Sequence, residues 1–413
     1  MRIEVLNTGT ELMLGNVLNK HLGSIAQALF PLGLRIQRQI TVPDGEAIRD
    51  AMREAFPRAD VLLVTGGLGP TTDDITRELT VELLGLELEH DEVVWQHIVE
   101  RFRVRGLTMS LRNARQAMRP REATVLHNPN GTAPGLYFPA TPGVPHIFLL
   151  PGPPRELLPM LHDQVVPMLA PLVPAGVRHE MQTFRVLGLG ESGVEELVGE
   201  DLLALGLEVG YCARPGEVDV RLIGTPEVLA RAEPLVRGKL GGSIFTADQR
   251  SLEQVLVETL TLKSKTIATA ESCTGGYIAN LLTDVPGASR VFLAGYVTYA
   301  NAAKTATLGV NAALIAEHGA VSEPVARAMA SGALRVSGAD FALATTGVAG
   351  PGGGTDAKPV GTVFFSLATR GGEVVVQRHA FKTDRMTFKH RTAQTALDLL
   401  LRHLDGRVES AAL

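Results

Sequence analysis

The chain has 413 residues, 45% hydrophobic and 20% charged, with a formal net charge of −5. That length exceeds a single core and predicts two or three domains. The mild acidity and the absence of like-charge runs argue against nucleic acid or an acidic membrane as the main partner. Only two cysteines occur, Cys212 and Cys273, so a disulfide framework is not expected and a cytoplasmic location is. No basic segment precedes an apolar core at the N-terminus, and no apolar run is long enough for a bilayer, so neither a signal peptide nor a membrane span is expected.

The first 170 residues alternate strand and helix patterns. Arg2–Asn7 reads as a strand, Val17–Phe30 as an amphipathic helix and Leu34–Val42 as a second strand. Asp44–Phe56 reads as a helix with Asp44 as its N-cap. Val61–Thr65 is apolar and β-branched, a short buried strand, and the loop Gly66–Asp73 leads to a helix over Ile75–Leu84. His146–Leu150 is a further strand, followed by Pro151-Gly152-Pro153-Pro154 and a helix. The alternation predicts a mostly parallel sheet covered on both faces.

Pro167, Pro171 and Pro174 mark a boundary. Beyond it, Thr183–Leu187, Glu191–Leu205, a hairpin of Leu207–Cys212 and Glu217–Ile223, Glu227–Leu240 and Ser243–Thr246 form a small α+β module. A third region begins with a helix over Leu252–Leu262. Strands follow at Thr266–Ala270, Val291–Tyr299, Phe341–Thr345, Gly361–Ala368 and Val374–Phe381. Two helices lie between them, one of them 323–336 with Ser322 and Pro324 as start signals, and one closes the chain. The expected boundaries are 1–170, 175–248 and 251–413.

In the third region Glu271-Ser272-Cys273-Thr274-Gly275-Gly276 places a hydroxyl at a sharp strand-to-helix turn, with helix N–H groups nearby to stabilise negative charge. Serine needs a base. Lys304 is the only charge between Val291 and Leu308, and burial lowers a lysine toward neutrality. The competing reading is a solvated lysine on a helix face. Cys273 competes with Ser272 as nucleophile, although a small semi-buried cysteine explains it as well. The loop Gly347–Gly354 suits close backbone approach to a phosphate or carbonyl oxygen; a merely mobile glycine loop is the alternative.

In the first region Gly66-Gly67-Leu68-Gly69-Pro70-Thr71-Thr72-Asp73-Asp74 follows a buried strand and opens a helix, an arrangement that favours phosphates. Asp73 and Asp74 together suit a divalent ion bridging phosphate oxygens; the plain alternative is that they cap the helix. Thr8, Gly9, Glu11, Asn16 and Asn19, the segment 128–135 and the segment 151–156 lie at the ends of other strands and are candidates for the same pocket.

The segments AESCTGG (270–276), GYVTYANAAK (295–304), HGAVSEPVA (318–326), TTGVAGPGGGTDAKPVGTV (345–363) and FKTDR (381–385) resemble the nicotinamide-nucleotide amidase (NMN deamidase) family. The resemblance implies hydrolysis of nicotinamide mononucleotide (NMN) to nicotinate mononucleotide and ammonia without a cofactor. It makes Ser272 the nucleophile and Lys304 its base, with Tyr299 and Asn301 positioning lysine and substrate. It also implies substrate contacts from Thr274, Gly275, Thr346, Gly347, Ala349 and Gly350. Lys389 stands where the family often has an arginine, so Lys389, Arg385 and Arg391 are alternative phosphate anchors.

GTELMLGNVLNK (9–20), VPD (42–44), TGGLGPTTDDITRE (65–78), NPNGTAPG (128–135) and LPGPPREL (150–157) resemble the molybdopterin-binding-like domain of the competence/damage-inducible (CinA) family, and the whole chain is similar to that family's full length. The implied fold is a multidomain α/β protein: a three-layer molybdopterin-binding-like domain, a small α+β KH-like module and a three-layer amidase domain. The first domain is implied to cleave ADP-ribose to AMP and ribose 5-phosphate. Its expected nucleotide contacts are Thr8, Gly9, Glu11, Asn19, Gly66, Gly67, Gly69, Thr71, Gly131, Pro151 and Gly152. Asp73 and Asp74 would hold Mg2+ or Co2+, with K+ assisting. Leu68 departs from the hydroxyl residue of true molybdopterin binders. The middle module lacks a G-x-x-G clamp, so a linking or dimerising role in a homodimer is expected rather than RNA binding. A non-catalytic first domain and a non-enzymatic competence or DNA-damage accessory protein are the competing functional readings.

Overall fold

The computed structural model describes residues 1–174, 179–372 and 374–406. The chain divides into two compact units, Met1–Arg178 and His179–Leu413.

The first unit is built on β1 (Ile3–Thr8), α1 (His21–Leu29), β2 (Ile36–Val42), α2 (Glu46–Ala55), β3 (Val61–Thr65), α3 (Thr76–Leu84), α4 (Glu92–Val104), β4 (Thr124–Leu126), β5 (Gly135–Phe138), β6 (His146–Leu150) and α5 (Pro154–Met160). The strands form one sheet in the order β2-β1-β3-β6-β5-β4. The first three pairings are parallel; those of β5 with β6 and of β4 with β5 are antiparallel. Successive side chains of β3 point to opposite faces. Val61 and Leu63 pack with Ile25, Leu29 and Leu157, while Leu62 and Val64 pack with Ile48, Met52 and Leu79. A strand buried on both sides is apolar throughout.

Several local expectations are corrected. The helix expected from Val17 begins at His21, because Asn19 Oδ1 accepts from the His21 N–H and turns the chain there. Asp44 does not cap α2, whose N-cap is Gly45 with no side-chain bond. Its carboxylate accepts instead from the Thr10 N–H and hydroxyl at 2.9 and 3.0 Å. Helix α4 went unread in the sequence, although Asp91 caps it by accepting from the Val94 N–H.

The second unit holds two sheets. The smaller comprises β7 (Glu180–Leu187), β8 (Glu208–Arg214), β9 (Glu217–Gly224) and β10 (Ile244–Thr246), with α6 (Glu191–Ala204) and α7 (Pro226–Leu240). Its order is β8-β9-β7-β10, antiparallel throughout. The larger follows α8 (Leu252–Leu262) and comprises β11 (Ile267–Glu271), β12 (Phe292–Val297), β13 (Phe341–Gly347), β14 (Thr362–Thr369) and β15 (Val374–Ala380) in the order β12-β11-β13-β14-β15. Helices α9 (Tyr277–Thr283), α10 (Asn301–Leu308), α11 (Ala312–His318), α12 (Glu323–Ser337) and α13 (Arg385–Leu404) connect and close it. More helices join these strands than the sequence pattern suggested, because α10 and α11 are too short to carry a clear 3.6-residue period.

One face of the larger sheet is large-to-large: Leu343, Phe365 and Leu367 meet Leu256, Ile278, Phe388 and Leu397. The other is lined by Ala270, Ala342, Ala344 and Ala368, which let α12 approach with Met329 and Ala330. No helix among the described residues is long and apolar enough to cross a membrane.

Both parallel sets share one topological device. β1 lies between β2 and β3, and β11 lies between β12 and β13. The chain leaves the central strand to one side and returns on the other, opening a crevice at the carboxyl ends of the central strand and its later partner.

Candidate active site

In the second unit that crevice lies between Ser272, directly after β11, and the glycine loop after β13. The turn is held by backbone bonds: Ser272 N–H donates to Thr345 O at 3.0 Å and Gly275 N–H to Ser272 O at 3.2 Å. Gly275 and Gly276 both have positive φ, +61° and +91°, a left-handed pair that side chains disfavour.

Lys304 enters from α10 and is 1% exposed. Its Nζ lies 3.1 Å from Ser272 Oγ, 2.8 Å from Thr298 O and 3.0 Å from Tyr299 O. No carboxylate among the described residues pairs with it, and burial lowers its pKa from the ordinary lysine value. The solvated-lysine reading is thereby excluded. Nζ donates to all three oxygens. Burial favours loss of one proton, after which two N–H groups still serve the carbonyls and a lone pair is free to face Ser272 Oγ.

Cys273 is buried, and that burial pushes its thiol up to about 12. A protonated thiol is a poor nucleophile, so Ser272 is favoured. The helix N-terminus expected to stabilise an oxyanion is already used. Glu271, fully buried, accepts from the N–H groups of Gly276, Ile278 and Ala279 at 2.9–3.0 Å. Glu271 therefore fixes the nucleophile turn, a role that its place beside Ser272 in the motif did not announce.

The other site candidates separate. Tyr299 supplies its carbonyl to Lys304, and its phenol accepts from Arg385 at 3.2 Å. Arg385 also donates to Gly350 O at 2.8 Å, joining the glycine loop to Tyr299. Lys389 approaches Gly275: a Cβ there would lie 3.8 Å from its Nζ. Asn301 is exposed in the first turn of α10. Thr274 and Thr346 are buried and committed to protein partners, Thr345 Oγ1 at 2.8 Å and Ala320 O at 2.7 Å. Gly347 is held against Thr362 and Val363, and Ala349 is buried in the core. Arg391 stacks on Phe381 and lines a different cavity. On α13, Arg385 and Lys389 are four residues apart and share a face; Arg391 does not.

In the first unit a cavity of about 370 Å³ is lined by Thr8, Gly9, Glu11, Gly66, Gly67 and Gly69. Asp73, Asp74, Pro151 and Gly152 of the expected set also line it, whereas Gly131 does not. Gly66 and Gly67 have φ of +105° and +66°, and a Cβ on either would strike Thr8 or Thr76. The lining also includes Glu156, from the expected 151–156 segment, and Asp44 and Gln116, which sequence reading did not assign to the site. Glu156 accepts from Asn128 Nδ2 at 2.8 Å, which ties the 128–135 loop to the 151–156 loop. Gly131 contributes by leaving room for Glu156. Asn19 and Thr71 are not in the lining; Asn19 starts α1, and Thr71 Oγ1 lies 2.5 Å from both Asp73 Oδ1 and Asp74 Oδ2.

Neither aspartate caps α3, whose N-cap is Ile75 with no side-chain bond. The two carboxylates converge on one hydroxyl at the cavity wall. No group of three or more His, Cys, Asp or Glu side chains among the described residues is arranged to hold a metal ion. A pair of carboxylates completed by ligand phosphate oxygens is the arrangement Mg2+ commonly uses, and these residues fit it.

Residues 249–404 match the model described as "CinA C-terminal domain", and residues 4–171 match that described as "Probable molybdopterin binding domain". The crystal structure of competence/damage inducible protein CihA from Agrobacterium tumefaciens is 39% identical, covering 39% of this chain and 99% of that one, with a TM-score of 0.36. A CinA superfamily protein from Klebsiella pneumoniae is 35% identical over 38% of this chain and 96% of that one, with a TM-score of 0.37. A CinA-like protein of Akkermansia muciniphila is 48% identical over 402 residues, 97% of either chain. With that identity sustained across both units, the chain belongs to the CinA family.

Proposed function

We propose that the second unit is an amidase that hydrolyses nicotinamide mononucleotide to nicotinate mononucleotide and ammonia. The observation that carries this reading is the buried, uncompensated Lys304 amine 3.1 Å from Ser272 Oγ. Ser272 Oγ attacks the carboxamide carbon while its proton passes to Lys304 Nζ. Lys304 then gives that proton to the departing nitrogen, and the C–N bond breaks to release ammonia. Water attacks the resulting ester, its proton going to Lys304 and then back to Ser272 Oγ, and nicotinate mononucleotide leaves.

Because Glu271 occupies the N–H groups of Gly276, Ile278 and Ala279 and the Val348 N–H donates to Thr362 O at 2.8 Å, the N–H groups of Ala349 and Gly350 in the glycine loop are assigned to the oxyanion. Arg385 and Lys389 supply positive charge for the substrate phosphate. Lys389 is a point charge and lacks the fork of an arginine, so Arg385 is the directional anchor. Purified protein incubated with the mononucleotide is expected to release ammonia; absence of release defeats the reading.

For the first unit the proposed reaction is cleavage of ADP-ribose to AMP and ribose 5-phosphate. Its support is the glycine-walled cavity with two carboxylates at one edge. A divalent ion held by Asp73 and Asp74 would neutralise charge on the pyrophosphate. Gly66 and Gly67 let the backbone approach the phosphates, and Asp44 holds the first loop through Thr10. Formation of AMP from ADP-ribose that stops on chelation tests this; product formed equally well in chelator defeats the metal assignment.

A further inference from the structure

Arg391 marks a second cavity in the second unit, of about 800 Å³, where the small sheet meets the larger one. Gly188 and Gly216 belong to one wall; Gln377 and His379 of β15 and Arg391 and Arg402 of α13 belong to the other. Gly216 has φ +96°, and a Cβ on it would lie 3.6 Å from Gln394 Cβ and 4.0 Å from Arg391 Cγ. The β8–β9 turn thus rests on α13 through backbone and closes the cavity at that point.

The charges in the wall do not cancel. Arg402 is paired with Asp398 at 2.8 Å. No carboxylate among the described residues forms an ion pair with Arg391. Its guanidinium lies 4.6 Å from the centroid of the Phe381 ring. A ring beneath the guanidinium satisfies its face and leaves the N–H groups at its edge for an oxyanion. His379 stands in the same wall, and burial, followed by the charge of Arg391, lowers its pKa. As a neutral imidazole it can donate a hydrogen bond, as can Gln377. A partly desolvated cation without a counterion, beside neutral donors in a concave site, is an arrangement that favours an anion.

We propose that this cavity binds a phosphate-bearing small molecule of up to mononucleotide size, anchored by Arg391. The volume is within the usual range for small-molecule sites. The site is separate from the Ser272 crevice, and it stands or falls independently of the amidase reading: α13 directs Arg385 and Lys389 to that crevice and Arg391 to this cavity.

Calorimetric titration of the full chain with AMP, and separately with inorganic phosphate, tests the site. The variants are Arg391→Ala, and Arg385→Ala combined with Lys389→Ala. One binding component is expected to weaken at least about tenfold in Arg391→Ala and to persist in the double variant. Weakening with AMP alone would assign the site to nucleotides; weakening with both probes would assign it to phosphate itself. Isotherms of Arg391→Ala that superimpose on wild type for both probes, with unchanged thermal unfolding, would overturn the proposal. So would a loss confined to the double variant. If Arg391→Ala does not fold, Arg391→Gln, which keeps the stem, is read with the same two outcomes.

Discussion

Lys304 determines what the Ser272 turn can do. Its ordinary pKa of 10.5 is lowered by burial, so between the folded value and 10.5 the unfolded chain binds more protons than the folded one. Stability therefore rises with pH through that window and is lost again as pH falls. Lys304→Met removes the titrating group and should flatten this rise in denaturant unfolding between neutral pH and pH 10; an identical rise in both proteins would contradict it. Catalysis has the same sign, because the neutral amine is the base: activity should fall as pH drops through the lowered value. Lys304→Met should cost on the order of 10²–10⁴-fold in kcat. Cys273 sets the opposite expectation. Its thiol is held up near 12, so Cys273→Ala should keep most activity and change stability by only about 1 kcal/mol. Abolished ammonia release in a folded Cys273→Ala protein would reverse the choice of nucleophile.

At the scale of elements, α13 divides the candidate anchors. Arg385 reaches Gly350 O and the Tyr299 phenol, and Lys389 approaches Gly275. Arg385→Ala and Lys389→Ala should each raise KM for the mononucleotide by about tenfold or more, measured by initial-rate kinetics, whereas Arg391→Ala should not. Equal KM effects at all three positions would mean that helix placement is irrelevant. The sequence left Arg385, Lys389 and Arg391 as equal alternatives; the i, i+4 relation of 385 to 389 separates Arg391 only once the helix is placed against the crevice. What was not legible is the carboxylate of Glu271 turning back on α9. Three donors that a strand–turn–helix pattern offers to substrate are consumed by the residue before the nucleophile, and no periodicity reports where a side chain bends. The same holds for Asp73 and Asp74: capping was the plain alternative to a metal pair, and only the structure shows that the N-cap of α3 is Ile75 with no side-chain bond.

At the scale of the whole molecule, two parallel strand sets use one device, a central strand flanked by its two successors, to create a crevice. Strand identity was readable because buried parallel strands are continuously apolar, as at Val61–Thr65. The antiparallel β4 and β5 and the short α10 and α11 were harder to read, since a strand of three or four residues or two helical turns carry too little period to register. Each unit has its own core, so damage to one site should spare the other. Asp73→Ala should stop AMP formation from ADP-ribose while leaving ammonia release from the mononucleotide within about twofold, since sites that share no partners or core are near-additive. Parallel loss of both activities in a folded Asp73→Ala protein would contradict that independence.

The central claim is that Ser272, activated by Lys304, cleaves the amide. Its most direct test is ammonia release from nicotinamide mononucleotide by wild type and by Ser272→Ala, each verified as folded. Release by wild type and a loss on the order of 10³-fold or more in Ser272→Ala is the predicted result. Undiminished release by Ser272→Ala, or none from wild type, would contradict the account.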